Sequence, residues 1–464
     1  MLVFSLDNQS NKPLYQQIYE HIKQEIMKGR LSYGEKLPSA RELASTLLIS
    51  RNPVDTAYEQ LMAEGYVYSL PQKGYYVNEI TYIKEYGQEE EKNSPCFEER
   101  EESSQQWKYN FNPDEVDYSH FPYSTFRSVT RSVLEQRDFL SSGNPKGEQE
   151  LCKEVAKYLY RSRGVQCELS QIVMGAGIGY LLQLLSVLFR SKKRIAFEEP
   201  GYVRAKGIFS SYGFEIVNLP IQREGITPEI LEREGVELCY LTPSHQFPLG
   251  TVLAAPERQR LLQWAREKEG RYLIEDDHDS EYRYKGKPIP AMQSLDPKGK
   301  VIYIGTFSKA LTPALRLGYM VLPKELIPMF HRDCGVYNCP VSRLDQQIIA
   351  SFMREGYFEK HLNRMRKIYK EKHDIMLNML QKYPEKVKVH GDYAGLYVIA
   401  EVLKRRNEQD MVNEATLAGI CLRPLSAYYQ DSVLLGKPAF LLGFALPDKE
   451  QIQKGVSILC EEIF

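Results

Sequence analysis

The sequence predicts a multidomain protein in which a small α+β domain precedes a large α/β domain. Residues 1–80 show helical spacing followed by two short β-type runs, which indicates a compact helical unit with a hairpin. Residues 109–464 alternate β-branched runs with longer helical patterns, as α/β layered domains do. Between them, residues 81–108 carry eight acidic and four basic side chains. This composition predicts an acidic flexible linker.

The overall composition excludes several classes of protein. The chain has 464 residues and a net charge of −1, so it is not a histone-like polycation. No apolar run reaches the roughly 18 residues of a membrane span, and residues 1–11 lack the features of a signal peptide. The eight cysteines are scattered and form no CxxC pair. We therefore expect a cytoplasmic protein with reduced thiols, no membrane association and no metal site.

Three helices are predicted at the start of the small domain. The first follows the apolar positions 14, 18, 22 and 26 and ends at Gly29. Ser39 is predicted to cap a second helix that runs to about Leu47. After a short turn, Ser50 is predicted to cap a third helix, which ends at Gly65. Two short helices joined by a tight turn form a helix-turn-helix, whose second helix fits the DNA major groove.

A β-hairpin is predicted after the helices. Residues 66–69 and 75–77 flank the sequence PQKG, which places a glycine at the hairpin tip, as in a wing. We expect DNA contacts at the helix starts and the wing, from Ser39, Arg41, Arg51, Asn52, Lys73 and Gly74. The alternative is a helical interaction domain without a DNA role, since residues 1–80 carry eight basic and nine acidic side chains.

Residues 13–77 resemble a GntR-type winged helix over their whole length. The similarity rests on the spacing G-R-L-x-x-G-x-x-L-P-S-x-R, then S-R-N-x-V, A-Y-x-x-L, E-G-Y and the wing glycine. Pro53 departs from the family, in which threonine is usual at this position. Because proline is tolerated in the first turn of a helix, we expect the third helix to form despite it.

A segment of the large domain has the residues that an aldehyde cofactor with a phosphate group requires. The β-type run 301–305 is followed by Thr306, Ser308, Lys309 and Arg316. A lysine amine can form a Schiff base with an aldehyde, while hydroxyl and guanidinium groups can bind a phosphate. The segment therefore indicates a covalent cofactor site.

An acidic cluster ends an apolar run shortly before this segment. Residues 271–282 read RYLIEDDHDSEY, so Asp276 and His278 fall at the carboxyl end of a predicted strand, where α/β proteins bind ligands. A buried carboxylate there can keep a pyridine nitrogen protonated. Clustered Asp and His side chains also suit a metal ion, but no second such cluster completes a ligand set.

Two further segments add to the predicted site. Residues 172–175 form a β-type run that leads into Gly177-Ile178-Gly179 and an apolar helix, and backbone N–H groups at such a helix start bind phosphate. A Rossmann nucleotide site also uses a glycine turn, but it needs an acidic residue about 20 positions further on, and none ends a strand there. Tyr202 follows another β-type run, where its ring could stack on a flat cofactor.

In this order the segments resemble the fold-type I aminotransferases over about residues 109–464. The resemblance implies pyridoxal 5′-phosphate (PLP) as cofactor, a Schiff base with Lys309, a pairing of Asp276 with the pyridine nitrogen and stacking by Tyr202. The implied phosphate site comprises Gly177, Ile178, Gly179, Thr306, Ser308 and Arg316. The join to a GntR-type winged helix resembles the MocR/GabR family of transcriptional regulators, whose usual phrases appear here as LTPSHQFPLG, EDDHDSEYRY, GTFSKALTPALRLGY and FLLGFA.

One departure from the aminotransferase pattern concerns the substrate carboxylate. Leu441 stands where an arginine usually grips it. Arg204 and Arg423 are the candidate replacements in effector binding, and the alternative for each is a surface or structural arginine. Without the usual arginine, cofactor binding is expected to persist but efficient turnover is not.

A second group of departures surrounds the cofactor ring. Phe247 stands where an asparagine usually lies near the ring hydroxyl, so His245 or Gln246 would have to serve there. His278 occupies a position where relatives often have tyrosine. We retain Gln246 and His278 as expected cofactor contacts.

The resemblance implies a PLP-dependent transcriptional regulator that binds double-stranded operator DNA and senses an amine or amino acid at the cofactor. One alternative is an active aminotransferase that carries a DNA-binding domain, and another is a regulator whose effector is PLP itself. A homodimer is expected, because fold-type I sites lie at dimer interfaces and two-fold proteins suit repeated half-sites.

Overall fold

The computed structural model describes residues 6–7, 12–79, 107–136, 138–221, 225–286, 289–430 and 436–464. Contacts divide the chain into two compact units, Met1–Gln105 and Gln106–Phe464. Nearly all of the predicted linker, 81–108, lies outside the described residues. The two units are therefore described one at a time.

The N-terminal unit contains three helices and a hairpin. These elements are α1 (Leu14–Met27), α2 (Ala40–Thr46), α3 (Arg51–Ala63), β1 (Val67–Leu70) and β2 (Gly74–Val77). Ile18, Ile22 and Ile26 of α1 are buried, as their spacing predicts. Proline in the first turn of α3 does not interrupt that helix, because the first-turn amides have no intrahelical partner.

The two predicted helix caps differ in chemistry. The Ser39 hydroxyl accepts a hydrogen bond from the Glu42 amide at 3.2 Å, and the Glu42 carboxylate accepts one from the Ser39 amide, which completes a capping box. Ser50 occupies the N-cap position of α3, but its hydroxyl makes no capping bond. The start of α3 therefore leaves backbone N–H groups free to meet a phosphate.

The wing turns differently from the prediction. Leu70 lies opposite Gly74 in the β1–β2 ladder, so Gly74 begins the second strand and is not at the tip. Lys73 N donates to Leu70 O at 3.0 Å, which closes the turn, and Gln72 takes the left-handed conformation with φ 62°. Gly74 has φ 108°, a conformation that favours glycine, which explains why the residue is needed there.

The central sheet of the large unit has seven strands in the order β4-β10-β9-β8-β7-β5-β6. They are β4 (Ile172–Gly175), β5 (Arg194–Glu199), β6 (Glu215–Pro220), β7 (Leu238–Leu241), β8 (Tyr272–Asp277), β9 (Val301–Thr306) and β10 (Gly318–Val321). The pairs among β5 to β9 are parallel, whereas β10 is antiparallel to both neighbours. This is the mixed α/β sheet of a fold-type I domain.

The reversed strand β10 brings three parts of the predicted cofactor site together. Gly318, the first residue of β10, lies opposite Gly175 on one side and Thr306 on the other. The glycine turn after β4, the lysine segment after β9 and Arg316 just before β10 therefore meet at one edge of the sheet. Parallel strands place Asp276, near the end of β8, at the same edge.

Helices cover the central sheet and lead to a second, smaller sheet. The helices are α4 (Tyr123–Gln136), α5 (Gln149–Arg163), α6 (Gly177–Leu188), α7 (Val203–Ser211), α8 (Pro228–Arg233), α9 (Ala255–Glu267), α10 (Ile327–Cys334), α11 (Arg343–Arg354), α12 (Tyr357–Leu380), α13 (Glu408–Leu417) and α14 (Lys449–Ile458). In the part of the chain that the structure describes, no helix is both long and apolar enough to span a membrane.

The smaller sheet is antiparallel, with the order β11-β12-β15-β14. Its strands are β11 (Val387–His390), β12 (Tyr397–Val402), β14 (Arg423–Pro424) and β15 (Ala439–Gly443). A separate parallel pair joins β3 (Tyr109–Asn110) to β13 (Ile420–Cys421). The start of the large unit is thus fastened to its C-terminal part.

Candidate cofactor site and DNA-contacting residues

Lys309 lies in the turn after β9, as the sequence predicts. Its Nζ donates a hydrogen bond to the carbonyl oxygen of Pro113 at 2.7 Å. Burial lowers the pKa of Lys309, while the negative charges of Asp114 and Asp279 act in the opposite direction. A lysine with a lowered pKa is more often neutral, which is the state that attacks an aldehyde.

Asp276 is buried near the end of β8 and has one free acceptor. Tyr240 Oη donates to Asp276 Oδ2, but Oδ1 is buried and has no hydrogen-bond partner. Burial raises the pKa of Asp276 to about 7, and the charge of neighbouring Asp277 adds to this. A buried acceptor without a donor is costly, so the geometry suits a ligand that brings an N–H to Oδ1.

Glycine at position 177 allows a tight cradle beside Arg316. Gly177 begins α6 with φ 78°, and a Cβ there would lie 3.2 Å from Arg316 Nη2. Arg316 itself is held in the left-handed region with φ 46°. The first-turn amides of Ile178 and Gly179 share this end of α6. Guanidinium and helix N-terminus together form an anion site.

Thr306 and Ser308 frame the other side of this cradle. Thr306 is the last residue of β9 and lies opposite Gly318, and both side chains are half-buried. Neither hydroxyl has a hydrogen-bond partner within the described residues. The two hydroxyls, the Arg316 guanidinium and the start of α6 are the donors that a phosphate group requires.

Tyr202 stands immediately before α7, and its ring is half-buried. Burial raises the pKa of Tyr202 to about 12, and the charge of Asp276 contributes. The Phe247 ring meets the Tyr202 ring edge-on with centroids 6.1 Å apart. A tyrosine face beside the Asp276 carboxylate is suited to cover a flat ring.

Gln246 and His245 have separate tasks. Gln246 Nε2 donates to the carbonyls of Pro200 at 3.0 Å and Phe247 at 2.6 Å, so this amide holds the loop after β7. His245 Nδ1 lies 2.9 Å from Asp279 Oδ1, and its buried Nε2 has no partner. Of the two candidates for the ring hydroxyl, His245 has the free polar atom.

His278 belongs to a cluster that the sequence did not reveal. One donor atom each of His245, His278 and Asp279 lies within 4.8 Å of the others. No second cluster was expected to complete a ligand set here, but the loop after β7 brings His245 to the end of β8, so three possible ligand atoms meet there. The imidazole rings of His245 and His278 stack at 5.7 Å, and the hydrogen bond from His245 to Asp279 accounts for the arrangement.

Leu441 is fully buried in an apolar cluster with Tyr397 and Ile399. Arg423 lies directly opposite Leu441 across the β14–β15 pair, so both side chains project from the same face of the small sheet. Arg423 is exposed, as is Arg204 on the first turn of α7. No charged group thus stands at the Leu441 position itself, and Arg423 is its nearest basic neighbour in the ladder.

Four residues of the site escaped the sequence analysis: Pro113, Asp114, Tyr240 and Tyr397. Tyr397 Oη is buried without a hydrogen-bond partner, and burial together with the charge of Asp279 raises the pKa of its phenol. Asp114 is exposed and follows Pro113, whose carbonyl binds Lys309, and its charge raises the pKa of Lys309. Nothing in their local sequence marks these residues, because each reaches the site from a distant segment.

Four of the predicted DNA-contacting side chains of the N-terminal unit are open to solvent. Arg41, Asn52, Lys73 and Arg51 are all exposed. Arg51 pairs with Asp55 one turn further along α3 at 2.9 Å, which orients its guanidinium along the helix. The Ser39 hydroxyl is engaged in the capping box, so a DNA contact there would fall to the helix start as a whole.

The third helix and the wing are held in a fixed relation by one tyrosine. Tyr58 of α3 is fully buried, and its Oη donates to Pro38 O at 2.8 Å. Its ring packs edge-on against Tyr75 of the wing, with centroids 4.6 Å apart. The helix start and the wing can thus meet one DNA duplex as a single surface.

The residues present fit pyridoxal phosphate. The orphaned Asp276 Oδ1 matches a protonated pyridine nitrogen, the Gly177–Arg316 cradle matches the phosphate and Lys309 matches the aldehyde. Fold and site thus define a PLP-binding protein of fold type I, joined to a winged helix-turn-helix.

Comparisons with known proteins identify the family. Residues 109–453 match the model of aminotransferase class I and II, and residues 14–77 match that of the bacterial regulatory proteins of the gntR family. The chain is 38% identical to the uncharacterized HTH-type regulator YdeL of Bacillus subtilis, with 96% of each chain covered. It is 32% identical to the probable rhizopine catabolism regulatory protein MocR of Rhizobium meliloti, with 98% of this chain and 94% of MocR covered. The chain belongs to the family of MocR-type HTH transcriptional regulators.

Solved aminotransferases share the fold of the large unit. The kynurenine aminotransferase of Pyrococcus horikoshii superposes with a TM-score of 0.68 at 28% identity, covering 78% of this chain and 91% of that one. The α-aminoadipate aminotransferase LysN of Thermus thermophilus does so with a TM-score of 0.65 at 25% identity, covering 76% and 91%. Family and structural neighbours imply PLP as the cofactor.

Proposed function

We propose that this regulator senses a primary amine or amino acid at its PLP site and thereby changes its binding to operator DNA. The observation that carries the proposal is a complete cofactor site next to a buried leucine, Leu441, where the aminotransferase pattern has its carboxylate-binding arginine. Bound PLP supplies an aldehyde carbon that condenses with amines. Capture of an amine is therefore supported, whereas the positioning needed for rapid turnover is not.

The residues have distinct parts in this proposal. Lys309 would hold the cofactor through its amine, and Asp276 would hold a proton on the ring nitrogen. His245 or His278 meets the ring hydroxyl, while Tyr202 covers the ring face. Arg204 and Arg423 are exposed cations that can hold a carboxylate of the effector. The orientation of the effector then depends on flexible surface arginines, which favours binding over catalysis.

The DNA-binding unit and the oligomeric state complete the proposal. Arg41, Arg51, Asn52 and Lys73 contact the operator, with Ser39 and Gly74 shaping the helix start and the wing. The protein acts as a cytoplasmic homodimer, which matches two-fold symmetric half-sites.

A second candidate effector is PLP itself. It is favoured by a relative that is 31% identical over 89% of this chain, the HTH-type pyridoxine biosynthesis regulator PdxR of Corynebacterium glutamicum. In that case cofactor loading, and not amine capture, would change the affinity for DNA.

One experiment distinguishes the candidates. The affinity for the flanking intergenic DNA is measured with the cofactor-free protein, the PLP form, and the PLP form with a panel of amines and amino acids. We expect the visible spectrum and the DNA affinity to change together with one class of amine, with little 2-oxo acid product. A change with PLP alone supports the second candidate, and efficient multiple turnover with a common amino donor would overturn the sensor proposal in favour of an aminotransferase.

A further inference from the structure

A second cleft lies beside the loop that follows β8. It has a volume of about 960 Å³ and is bounded by α5, by the start of α12, by residues 280–286 and by Pro290. Its lining includes the buried Tyr158 ring, whose Oη donates to Glu281 Oε1 at 3.2 Å. The residues assigned to the cofactor are not among those that line this cleft, so it is a separate space.

Four guanidinium groups in the cleft lack a carboxylate partner. They belong to Arg161, Arg283, Arg354 and Arg366. Among the described residues, no carboxylate lies within ion-pair distance of any of them. Arg354 donates only to the Ser351 hydroxyl, and Arg283 Nε is buried with no partner. Unpaired guanidinium groups that share a concave surface repel one another, and a bound anion relieves this cost.

The cleft is lined by five guanidinium groups and one lysine against three carboxylates, so its positive groups are in excess. Glu154 is already paired with Lys157 at 2.7 Å. Burial raises the pKa of Glu281, with a further contribution from the charge of Asp277, which favours the neutral form of this group. Glu359 Oε2 is buried without a partner and suits a hydroxyl or amine donor on a ligand.

We propose that the cleft binds a small polyanion, namely a phosphorylated or polycarboxylate metabolite. Guanidinium groups bind phosphate and carboxylate oxygens through paired N–H donors, and several of them on one concave surface require more than one negative group on the ligand. The buried Glu359 oxygen adds a preference for a ligand that also carries a hydroxyl group.

The cleft is joined to the cofactor site by a short physical path. Arg163, at the end of α5, donates from Nε to Asp277 Oδ2 at 2.7 Å, and Asp277 adjoins Asp276 in β8. Arg366 donates to the Glu281 carbonyl at 2.8 Å, which fixes the other end of the same loop. An anion that draws Arg366 or Arg161 inward therefore acts on the segment that carries Asp276.

The test is calorimetric titration of the full chain in its PLP form with pyrophosphate, and separately with citrate. Loading with PLP fills the phosphate cradle at Arg316, so heat from that cradle is absent. We expect saturable binding of one anion per chain, weakened at least about tenfold in the double variant Arg161→Gln, Arg354→Gln. Both side chains are exposed, so their replacement leaves the core intact.

The double variant Arg127→Gln, Arg131→Gln is the matched control, because it removes the same two positive charges from exposed positions on α4 outside the cleft. Its affinity should stay within about twofold of the wild type. Equal weakening in the control, or heat without saturation, would overturn the site. The visible band of the cofactor should shift with pyrophosphate in the wild type and in the control but not in the Arg161→Gln, Arg354→Gln variant, and an unchanged band in the wild type would overturn the path to Asp276.

Discussion

Asp276 and Asp279 lie three positions apart in one segment, yet their surroundings shift the pKa values of the two carboxyl groups in opposite directions. Burial raises the pKa of Asp276 to about 7, and its Oδ1 lacks a donor. Burial also acts on Asp279, but the charges of His245 and His278 outweigh it and lower the pKa of this carboxyl to about 2. Asp276 thus lacks a partner for its Oδ1 atom, whereas Asp279 already has its partners within the protein.

Replacing Asp276 should separate stability from cofactor binding. In the cofactor-free protein the pKa of Asp276 is raised to about 7, so the folded state favours the protonated carboxyl. The contribution of Asp276 to the free energy of unfolding is therefore complete below about pH 4 and is lost as the pH rises through 7. Asp276→Asn stays neutral, and we expect a higher melting temperature than wild type at pH 8, no difference near pH 4, and weaker PLP binding. Thermal unfolding across this pH range measures the effect.

Asp279→Asn is the control of opposite sign. Because its pKa is lowered, Asp279 stabilises the folded protein above about pH 4, and that contribution is lost as the pH falls through 2. The variant should therefore melt below the wild type at pH 8. If both variants shift in the same direction at pH 8, the assignment of Asp276 as the unsatisfied carboxylate is wrong.

Lys309 is expected to be the residue that carries the cofactor covalently. The purified protein should absorb in the visible range, and borohydride reduction should fix the cofactor on Lys309. Lys309→Ala should lose the covalent link while the contacts around Arg316 retain some PLP. Lys300→Ala is the matched control, because Lys300 pairs with Glu325 at 2.7 Å away from the site. An adduct found on another lysine by peptide mass spectrometry contradicts the assignment.

At the scale of elements, the turn between α2 and α3 contains a strained residue. Leu48 has φ 55°, in the left-handed region, and its side chain is 92% exposed. Side-chain packing therefore does not offset the cost of this backbone conformation. A non-glycine residue in this region costs about 1–2 kcal/mol, and glycine removes that cost at an entropic expense of about 0.5–1 kcal/mol. The conformation of Leu48 thus lowers the stability of the turn between α2 and α3.

Leu48→Gly should stabilise the N-terminal unit by roughly 0.5–1 kcal/mol, the difference between these two terms. Ser45→Gly, inside α2, should destabilise it by a similar amount, because there glycine only adds flexibility to the unfolded chain. Hydrogen exchange of the α3 amides in the full chain reports both changes. Slower exchange in both variants would show that glycine acts through something other than the backbone conformation of Leu48.

The third helix and the wing should contribute differently to DNA binding, the helix to sequence specificity and the wing to affinity for any sequence. Arg51→Ala is expected to cost about 1–3 kcal/mol of operator affinity if its guanidinium binds a guanine, and much less on unrelated DNA. Lys73→Ala should weaken binding to all sequences alike and reduce the salt dependence by about one charge. Fluorescence anisotropy with operator and scrambled duplexes measures both. Sequence choice controlled by Lys73 would overturn the assumed docking.

The sequence predicted elements and local motifs far better than the contacts between them. The helix-turn-helix, the Lys309 segment and the position of Asp276 follow from short-range patterns. The bonds from Tyr240 to Asp276, from Lys309 to Pro113 and from His245 to Asp279 join residues that are 36, 196 and 34 positions apart. Such pairs depend on strand order, which local patterns do not determine. Gly74 was displaced from the tip because the hairpin register, and not composition, sets the turn.

At the scale of the whole molecule, the large unit exposes apolar side chains, and we propose that a second copy of the chain covers them. Val336 is 81% exposed and its neighbour Tyr337 is 44% exposed, in the loop between α10 and α11. We expect light scattering to show a homodimer at micromolar concentration with PLP bound. Val336→Asp should shift the dimer toward monomer, since a charge would enter the apolar contact.

Leu417→Asp is the control for this substitution. Leu417, on α13, is 89% exposed, so it offers the same change of side chain at another exposed site. Dissociation by Leu417→Asp alone would place the dimer contact elsewhere, and a monomeric wild type with PLP bound would contradict the dimer itself.

Strand β3 attaches the first residues of the large unit to its C-terminal part. Tyr109 N donates to Gly419 O at 3.1 Å and Phe111 N to Cys421 O at 3.2 Å, and a few residues later the Pro113 carbonyl receives the Lys309 amine. A lysine bound to the cofactor has fewer N–H groups to offer that carbonyl. We therefore expect that loading of the site weakens the hold of Lys309 on the segment that follows β3.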